Sequence, residues 1–396
     1  MSGFGLSFSS ALEAPQAAEE LAGRIEAELR GAREIVGGIL LSTAAAGSQA
    51  HEVGRLLGQR WPGVELVGTS FEGLLADGRV WRDQPALGLL AWQGGEREPV
   101  AFAFEPGDLE VERIAHEILD AAGRSQLGPS DLVLLFPDAY GAPPIEPMLP
   151  TLDALLGHPA IAGAGSSGLD GAPACSWVAG EEWAGALVGL IVPGPEHLPD
   201  RSLLVRTARA SRTASPWLEI TACRDRWIDR LESEPALSRV RQQLGLENDI
   251  ALEQHFDRIL VRLRRRANGP GEAPPQAYDE RYVVGIDRRR GAFSLPMQLR
   301  RGDQICLAWP DATLGREALR NCLDSLIDSS WLLQFTCRSR DAQLHGDEDL
   351  EPAWVAAHAA GRQVLGTVAP FQLGPDERGD SRLLVHATVL ACLVRD

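Results

Sequence analysis

The sequence predicts an α/β fold, α+β in its C-terminal part, in which an internally duplicated sheet-and-helix domain precedes a mixed, largely antiparallel one. Three observations carry that expectation. Short apolar runs alternate with segments of helical period through the first half of the chain. Two small-residue loops, GTSFEG at 68–73 and GAGSSG at 163–168, are near copies of each other. Each stands at the same offset from a leucine in an earlier apolar run, Leu40 before Gly68 and Leu135 before Gly163. A repeated unit explains that common spacing.

The elements follow in order. Residues 11–32 place Leu21, Ile25 and Leu29 on one helical face. Residues 34–42 form a short apolar, β-branched run, which predicts a buried strand. A helix is expected over 48–61 with Ser48 as N-cap, then strands at 64–68 and 85–92 around the first loop. The second pass repeats the pattern, with a helix at 111–125, a strand at 131–137 and a helix at 145–157 that Pro150 kinks or restarts. Strands follow at 159–163 and 185–193, on either side of the second loop. The first domain is therefore placed at 1–195, with repeats at about 11–100 and 111–195.

The Pro/Arg/Ser-rich stretch 196–216 is expected as a linker to a second domain at 217–396. There, a strand and a helix are expected within 217–245 and antiparallel strands at 256–266, 282–295 and 303–309, with a Pro/Gly loop at 267–280. A helix at 313–330, a strand at 331–337, a helix at 350–361 and strands at 364–370 and 382–394 complete the chain.

Composition excludes several functions. The net charge of −17 repels nucleic acid and anionic membrane, so neither is expected as a partner. Every Lys/Arg cation is arginine. A Walker A loop, a Schiff-base enzyme and a kinase all require a lysine that the chain lacks. Cys175, Cys223, Cys306, Cys322, Cys337 and Cys392 are scattered without a C-x-x-C pair, which predicts free thiols rather than a zinc site or disulfide framework. The eight histidines include no H-E-x-x-H, and no metal site is expected. MSGFGLSFSS has neither a basic region nor an apolar core of a signal peptide, and a cytoplasmic protein is expected.

Neither loop is a nucleotide fingerprint. GAGSSG satisfies G-x-G-x-x-G, but Leu169-Asp170-Gly171-Ala172-Pro173 follows it, which is turn chemistry and not a helix N-terminus. The same missing helix weakens a nucleophile elbow at Ser166 with His386 or His358 as base. Both loops instead end strands, where α/β sheets bind ligands. Arginines crowd 262–301, among them Arg288, Arg289 and Arg290, and suit either an anionic or protein partner or a solvated sheet face. Cys337 stands between apolar residues and Arg338 and Arg340, which favour a thiolate if they face it.

Together these stretches resemble the FIST family of bacterial sensory proteins, with its N- and C-terminal modules. GTSFEG and GAGSSG stand where the family has its Gly/Ser-rich turns. The stretch 282–319 resembles its C-terminal hairpin region, and FTCRSR at 335–340 its F-S-C-x-G-R strand. Where the family has an acid near its end, this chain has Gln372 before Gly374-Pro375. The resemblance implies a non-enzymatic, cytoplasmic signal-transduction protein that binds an amino acid or other metabolite and reports to a histidine kinase or another signalling protein. Haem is implied as an alternative ligand, with no other cofactor. Loop position and resemblance together assign Gly68, Thr69, Ser70, Gly163, Gly165, Ser166 and Ser167 to one side of a pocket and Cys337, Arg338 and Arg340 to the other. Rival readings are a ligand-free interaction scaffold and a serine hydrolase at Ser166.

Overall fold

The computed structural model describes residues 4–29, 34–94, 97–107, 110–141, 145–194, 201–246, 252, 255–256, 258–266, 278–326, 329–359 and 362–395. It has the mixed α/β architecture expected from the sequence. Its chain groups into two compact units, one of residues 1–208 with 319–396 and one of residues 209–318. This division differs from the expected boundary at 216/217. The segment expected as a linker carries the strands Arg201–Arg209 and Ser211–Thr213. Its polar composition hides an edge strand, whose outer face tolerates arginine and serine.

The larger unit is built from three sheets of one topology. In the first, the strands run in the order Phe4–Ser9, Leu87–Gln93, Ile35–Thr43 and Glu65–Phe71. The second orders Val100–Phe104, Leu187–Val192, Leu132–Pro137 and Ala160–Ala164 in the same way. The third orders Arg201–Arg209, Ala387–Arg395, Ser329–Cys337 and Gln363–Ala369. In each, the last two strands are parallel, joined by a crossover helix: Gly47–Arg60, Ile145–Leu156 or Leu350–His358. Leu40 pairs with Gly68, Leu135 with Gly163 and Gln334 with Gly366.

Each sheet is completed by a hairpin from another. The hairpin Gly73–Ala76/Arg79–Trp81 joins the third sheet, Gln372–Pro375/Ser381–Leu384 joins the second, and Ser176–Val178/Glu181–Glu182 joins the first. The exchange closes a cycle, so each sheet module covers a strand edge of its neighbour. The inward faces share one core, in which Phe136 meets Phe71 and Phe335 at ring-centroid distances of 5.8 and 5.9 Å. One phenylalanine from each module thus fills the centre below the strand ends.

Glycines make this close approach workable. A Cβ on Gly68 would lie 2.0 Å from the Trp177 ring of the exchanged hairpin, and one on Gly163 would lie 1.9 Å from the Leu135 carbonyl oxygen. Gly68 and Gly163 lie in strands, as expected, but those strands run on to Phe71 and Ala164, through residues the sequence assigned to the loops. Ser48 is likewise inside its helix, which is entered through the 3₁₀ turn Ala44–Ala46 with Ala46 at the N-cap. The helix expected at 313–330 ends at Asp324. Most of the Pro/Gly loop, 267–277, lies outside the described residues.

Edge strand and first helix are joined through 10–13 in the first module and 105–110 in the second. In the third, 210–311 intervenes between Arg201–Arg209 and the helix Ala312–Asp324. This insertion forms the second unit, an antiparallel sheet around its own apolar core that includes Ile220, Ile228, Val261, Phe293 and Leu307. Its ends meet, with Asp311 N donating to Ala210 O at 2.8 Å. Replacing 210–311 by a linker of about six residues is expected to leave a cooperatively folding core. Loss of a single sharp urea transition, followed by circular dichroism, would refute this. No described helix is long and apolar enough to cross a membrane.

Candidate functional site

The register brings Thr43, Asp138 and Cys337 to equivalent positions at the carboxyl ends of the three central strands, opposite Phe71, Ser166 and Ala369. The chain then turns out of each sheet, and the three turns supply the site. Asp138 shapes the second turn. Its buried carboxylate accepts from Tyr140 N at 2.8 Å and from the amides of Gly141 and Ala174. This presents the Tyr140 ring, half exposed, above the core.

There Tyr140 meets Glu72, which follows the strand Glu65–Phe71 of the first module, and Arg338, which follows Cys337 in the third. Arg338 Nη1 donates to Glu72 Oε1 at 2.9 Å and to Tyr140 OH at 3.3 Å, and Tyr140 OH donates to the same Glu72 oxygen at 3.3 Å. Partial burial pulls the Arg338 guanidinium down, but the charges of Glu72 and Tyr140 outweigh it and hold Arg338 above its ordinary value. One side chain from each module thus forms a polar hub over the phenylalanine core.

A cavity of about 220 Å³ borders the hub, walled by Glu72, Arg82, Asp83 and Asp170 with the small residues Ala44, Ala45 and Gly168. Its acids outnumber its one arginine, which favours a ligand with a cationic or donor group. The Arg82 guanidinium is held loosely between Asp341 at 3.7 Å and Glu348 at 3.6 Å, and its Nε and Nη2 are shielded without a hydrogen bond. Asp83 and Asp170 stand at φ 53° and 52°, in turns that present carboxylates to the cavity.

The expected site residues are only partly brought together. Ser70 and Ser167 join the two related segments: Ser167 N donates to Ser70 O and Ser70 Oγ donates to Ser167 O, both at 2.9 Å. Thr69 Oγ1 bonds Ser176 Oγ at 2.7 Å, and Gly165 N donates to Phe371 O at 3.0 Å. These groups, with Gly68 and Gly163, are buried and serve the sheet, not a cavity wall. Ser166 is fully buried, and its hydroxyl donates to Pro137 O at 3.1 Å. Of the opposite side, Arg338 alone reaches the hub. Cys337 is buried, with its Sγ accepting from Ser339 Oγ at 3.2 Å, and Ser339 Oγ also contacts His386 Nδ1 at 3.0 Å.

Arg340 turns the other way, into a buried cluster beneath the Arg338 turn. Its Nε and Nη2 donate to Glu351 Oε2 at 3.0 and 2.7 Å, and His345 Nε2 lies 3.1 Å from the same oxygen. Thr388 and Thr336 donate to Glu351 Oε1. Burial pushes the Glu351 carboxyl up, but Arg340 and the bonds from His345, Arg340 and Thr388 pull it down to about 2.

Sequence reasoning missed Glu72 and Tyr140. Glu72 lies within the quoted GTSFEG. Tyr140 stands two positions past the strand-end Asp138 and Arg338 one past the equivalent Cys337, so a search of the residues just beyond the strand ends, in place of the loops, would have found it. All six cysteines are free, and burial raises Cys175 to about 11 and Cys392 to about 12. Among the described residues the cavity walls hold no histidine, cysteine, methionine or tyrosine, so these residues do not fit a haem iron there. Among the described residues, no group of three or more His, Cys, Asp or Glu side chains is arranged to hold a metal.

The FIST N domain matches residues 37–234, half of the chain. The chain belongs to the FIST family. FIST domains are sensory domains. In this FIST protein the match begins in the first module's central strand, covers the second module and runs into the first strands of the inserted unit. No curated protein matches the sequence. Among solved structures, a cyanuric acid hydrolase is 9% identical over 99% of this chain and 100% of its own, with a TM-score of 0.35. A chorismatase is 11% identical over 99% and 98%, with a TM-score of 0.30. Scores this low bear on neither fold nor activity.

Proposed function

We propose that this FIST protein is a non-enzymatic, cytoplasmic sensor that binds a small polar metabolite at the hub and reports occupancy to a signalling partner. The observation that carries this reading is the Arg338–Glu72–Tyr140 contact, three side chains from three modules beside one cavity. A ligand that competes for Glu72 loosens all three turns at once, which gives binding a route to a conformational signal. The surplus of carboxylates suits a ligand bearing an amine or other donor, with Arg82 in the wall available to an anionic group such as that of an amino acid, and Arg338 released to it once the ligand takes Glu72. The committed, buried Ser166 hydroxyl supports a binding role over hydrolysis.

Native mass spectrometry of the purified protein, with an absorbance scan through the Soret region, is the first test. A retained small mass without a Soret band supports the reading, and a Soret band overturns the choice of ligand. Once a ligand is in hand, Glu72→Gln and Arg338→Met are each expected to weaken it at least about tenfold, or about 1.4 kcal/mol. Both side chains reach solvent, so stability should shift by less than about 1 kcal/mol. Unchanged affinity in isothermal titration for both variants would place the ligand elsewhere.

A further inference from the structure

The charge of the chain is unevenly divided. Residues 209–318 contain 19 arginines against 16 acids, a net +3, so the rest of the chain carries −20 of the total −17. Within the inserted unit the excess is local. Within the arginine-rich stretch 262–301 that the sequence singled out, the Arg288–Arg290 hairpin is largely matched: Arg290 bonds Asp229 at 2.5 Å, lies 3.8 Å from Asp287 and stacks on Trp227 at 5.6 Å, and Arg288 also has a partner.

A second basic surface is not matched. Arg265 and Arg266 leave the strand Leu260–Arg264, and Arg300 and Arg301 precede the strand Gln304–Pro310. The fully buried Asp303 ties these two turns together. Its carboxylate accepts from Arg266 N at 3.1 Å, Arg300 N at 3.0 Å and Arg265 Nη1 at 3.0 Å. That one acid is spent on the backbone and on Arg265. The exposed guanidiniums of Arg266, Arg300 and Arg301 make no hydrogen bond or ion pair among the described residues.

The patch continues into a cavity of about 380 Å³ lined by Arg226, Trp227, Val284, Ser294 and Gln298, with the acidic Asp225 also on its wall. Arg265 Nη1 donates to Gln298 O at 2.8 Å, and Leu295 N donates to Arg226 O at 3.0 Å, so cavity and patch share one framework. Val284, 59% exposed, stands at the cavity lip.

We propose that Arg226, Arg266, Arg300 and Arg301 form a docking surface for an acidic segment of a partner protein, with a side chain of that segment entering the cavity beside Trp227. Arginine favours carboxylate recognition because its fork binds both oxygens, and these forks are unspent. A short acidic segment needs only this patch. A long nucleic acid would also meet the field of a chain that is strongly negative elsewhere.

The test uses the full chain and a fluorescein-labelled oligoglutamate, followed by anisotropy at low salt. Binding is expected, and it should weaken at least about tenfold between about 0.05 and 0.3 M salt as exposed charges are screened. The variant R266E/R300E/R301E should lose at least tenfold in affinity, and Val284→Asp should lose severalfold. Arg320→Glu, an exposed reversal outside the unit, should change nothing. Circular dichroism confirms that each variant is folded. Absence of binding, or equal loss in the Arg320 variant, overturns the proposal. Tighter binding of a single-stranded oligonucleotide of equal charge at the same patch also overturns it, in favour of a nucleic-acid surface.

Discussion

Replacing Glu351 by alanine is expected to destabilise the larger unit by about 3–5 kcal/mol. Arg340 and Glu351 have side chains 0% and 2% exposed, and His345 contacts the same carboxylate. Removing the acid leaves a guanidinium in the interior without its counter-charge, and two threonine hydroxyls lose their acceptor. Urea unfolding of the variant measures this, and a loss below about 1 kcal/mol would show that water reaches the cluster. The same residue sets a pH dependence. Its folded value lies near 2 against an ordinary 4.5, so its contribution is fully present above about 4.5 and is lost as pH falls toward 2. The amount at stake is about 3 kcal/mol. Wild type should show this acid loss, and Glu351→Gln should be less stable at neutral pH and show less of it.

Trp177→Ala is expected to cost about 3–5 kcal/mol, because a fully buried indole of the exchanged hairpin leaves a cavity in the first module. Gly68→Ala should be similarly damaging alone, since its Cβ would sit inside van der Waals contact with that ring. Combined, the two changes should not add. Once Trp177 is gone, the methyl has room, and Gly68→Ala should cost under about 1 kcal/mol. A double-mutant cycle by urea denaturation reads the coupling. Additive losses would mean that the hairpin does not pack on Gly68 in solution.

Local features were legible in the chain because they depend on local chemistry. The spacing from Leu40 to Gly68 and from Leu135 to Gly163 proved to be direct partners across parallel strands. The helices of the first two modules follow from their apolar period. The third module's later strands and helix were also visible one by one, at 331–337, 350–361, 364–370 and 382–394. Their kinship with the first two was hidden because 210–311 separates the edge strand from them. The edge strand itself, Arg201–Arg209, looked like a linker because the half-buried Arg206, Thr207 and Arg209 interrupt its buried Leu203, Val205 and Ala208.

The site was half legible for a related reason. Arg338 and the segment containing Glu72 stood out as strand-end residues, and both reach the hub. Ser70, Ser166, Thr69 and Arg340 carry equally suitable groups, but their directions were set by the alternation of each strand and by partners remote in sequence. Arg340 points to Glu351 and Arg338 to Glu72, although they are two positions apart.

The chain's pattern of apolar periods, glycines and charge determined by itself an α/β protein of repeated strand–helix units, free of lysine chemistry, with ligand-suited residues at strand ends. Only the tertiary structure decided that there are three such modules, that each lends a hairpin to another, and that Glu72, Tyr140 and Arg338 meet. Periodicity is a property of neighbours along the chain. The hub depends on contacts between residues 68 to 266 positions apart and the hairpin exchange on pairings 107 to 295 positions apart, which local chemistry does not encode.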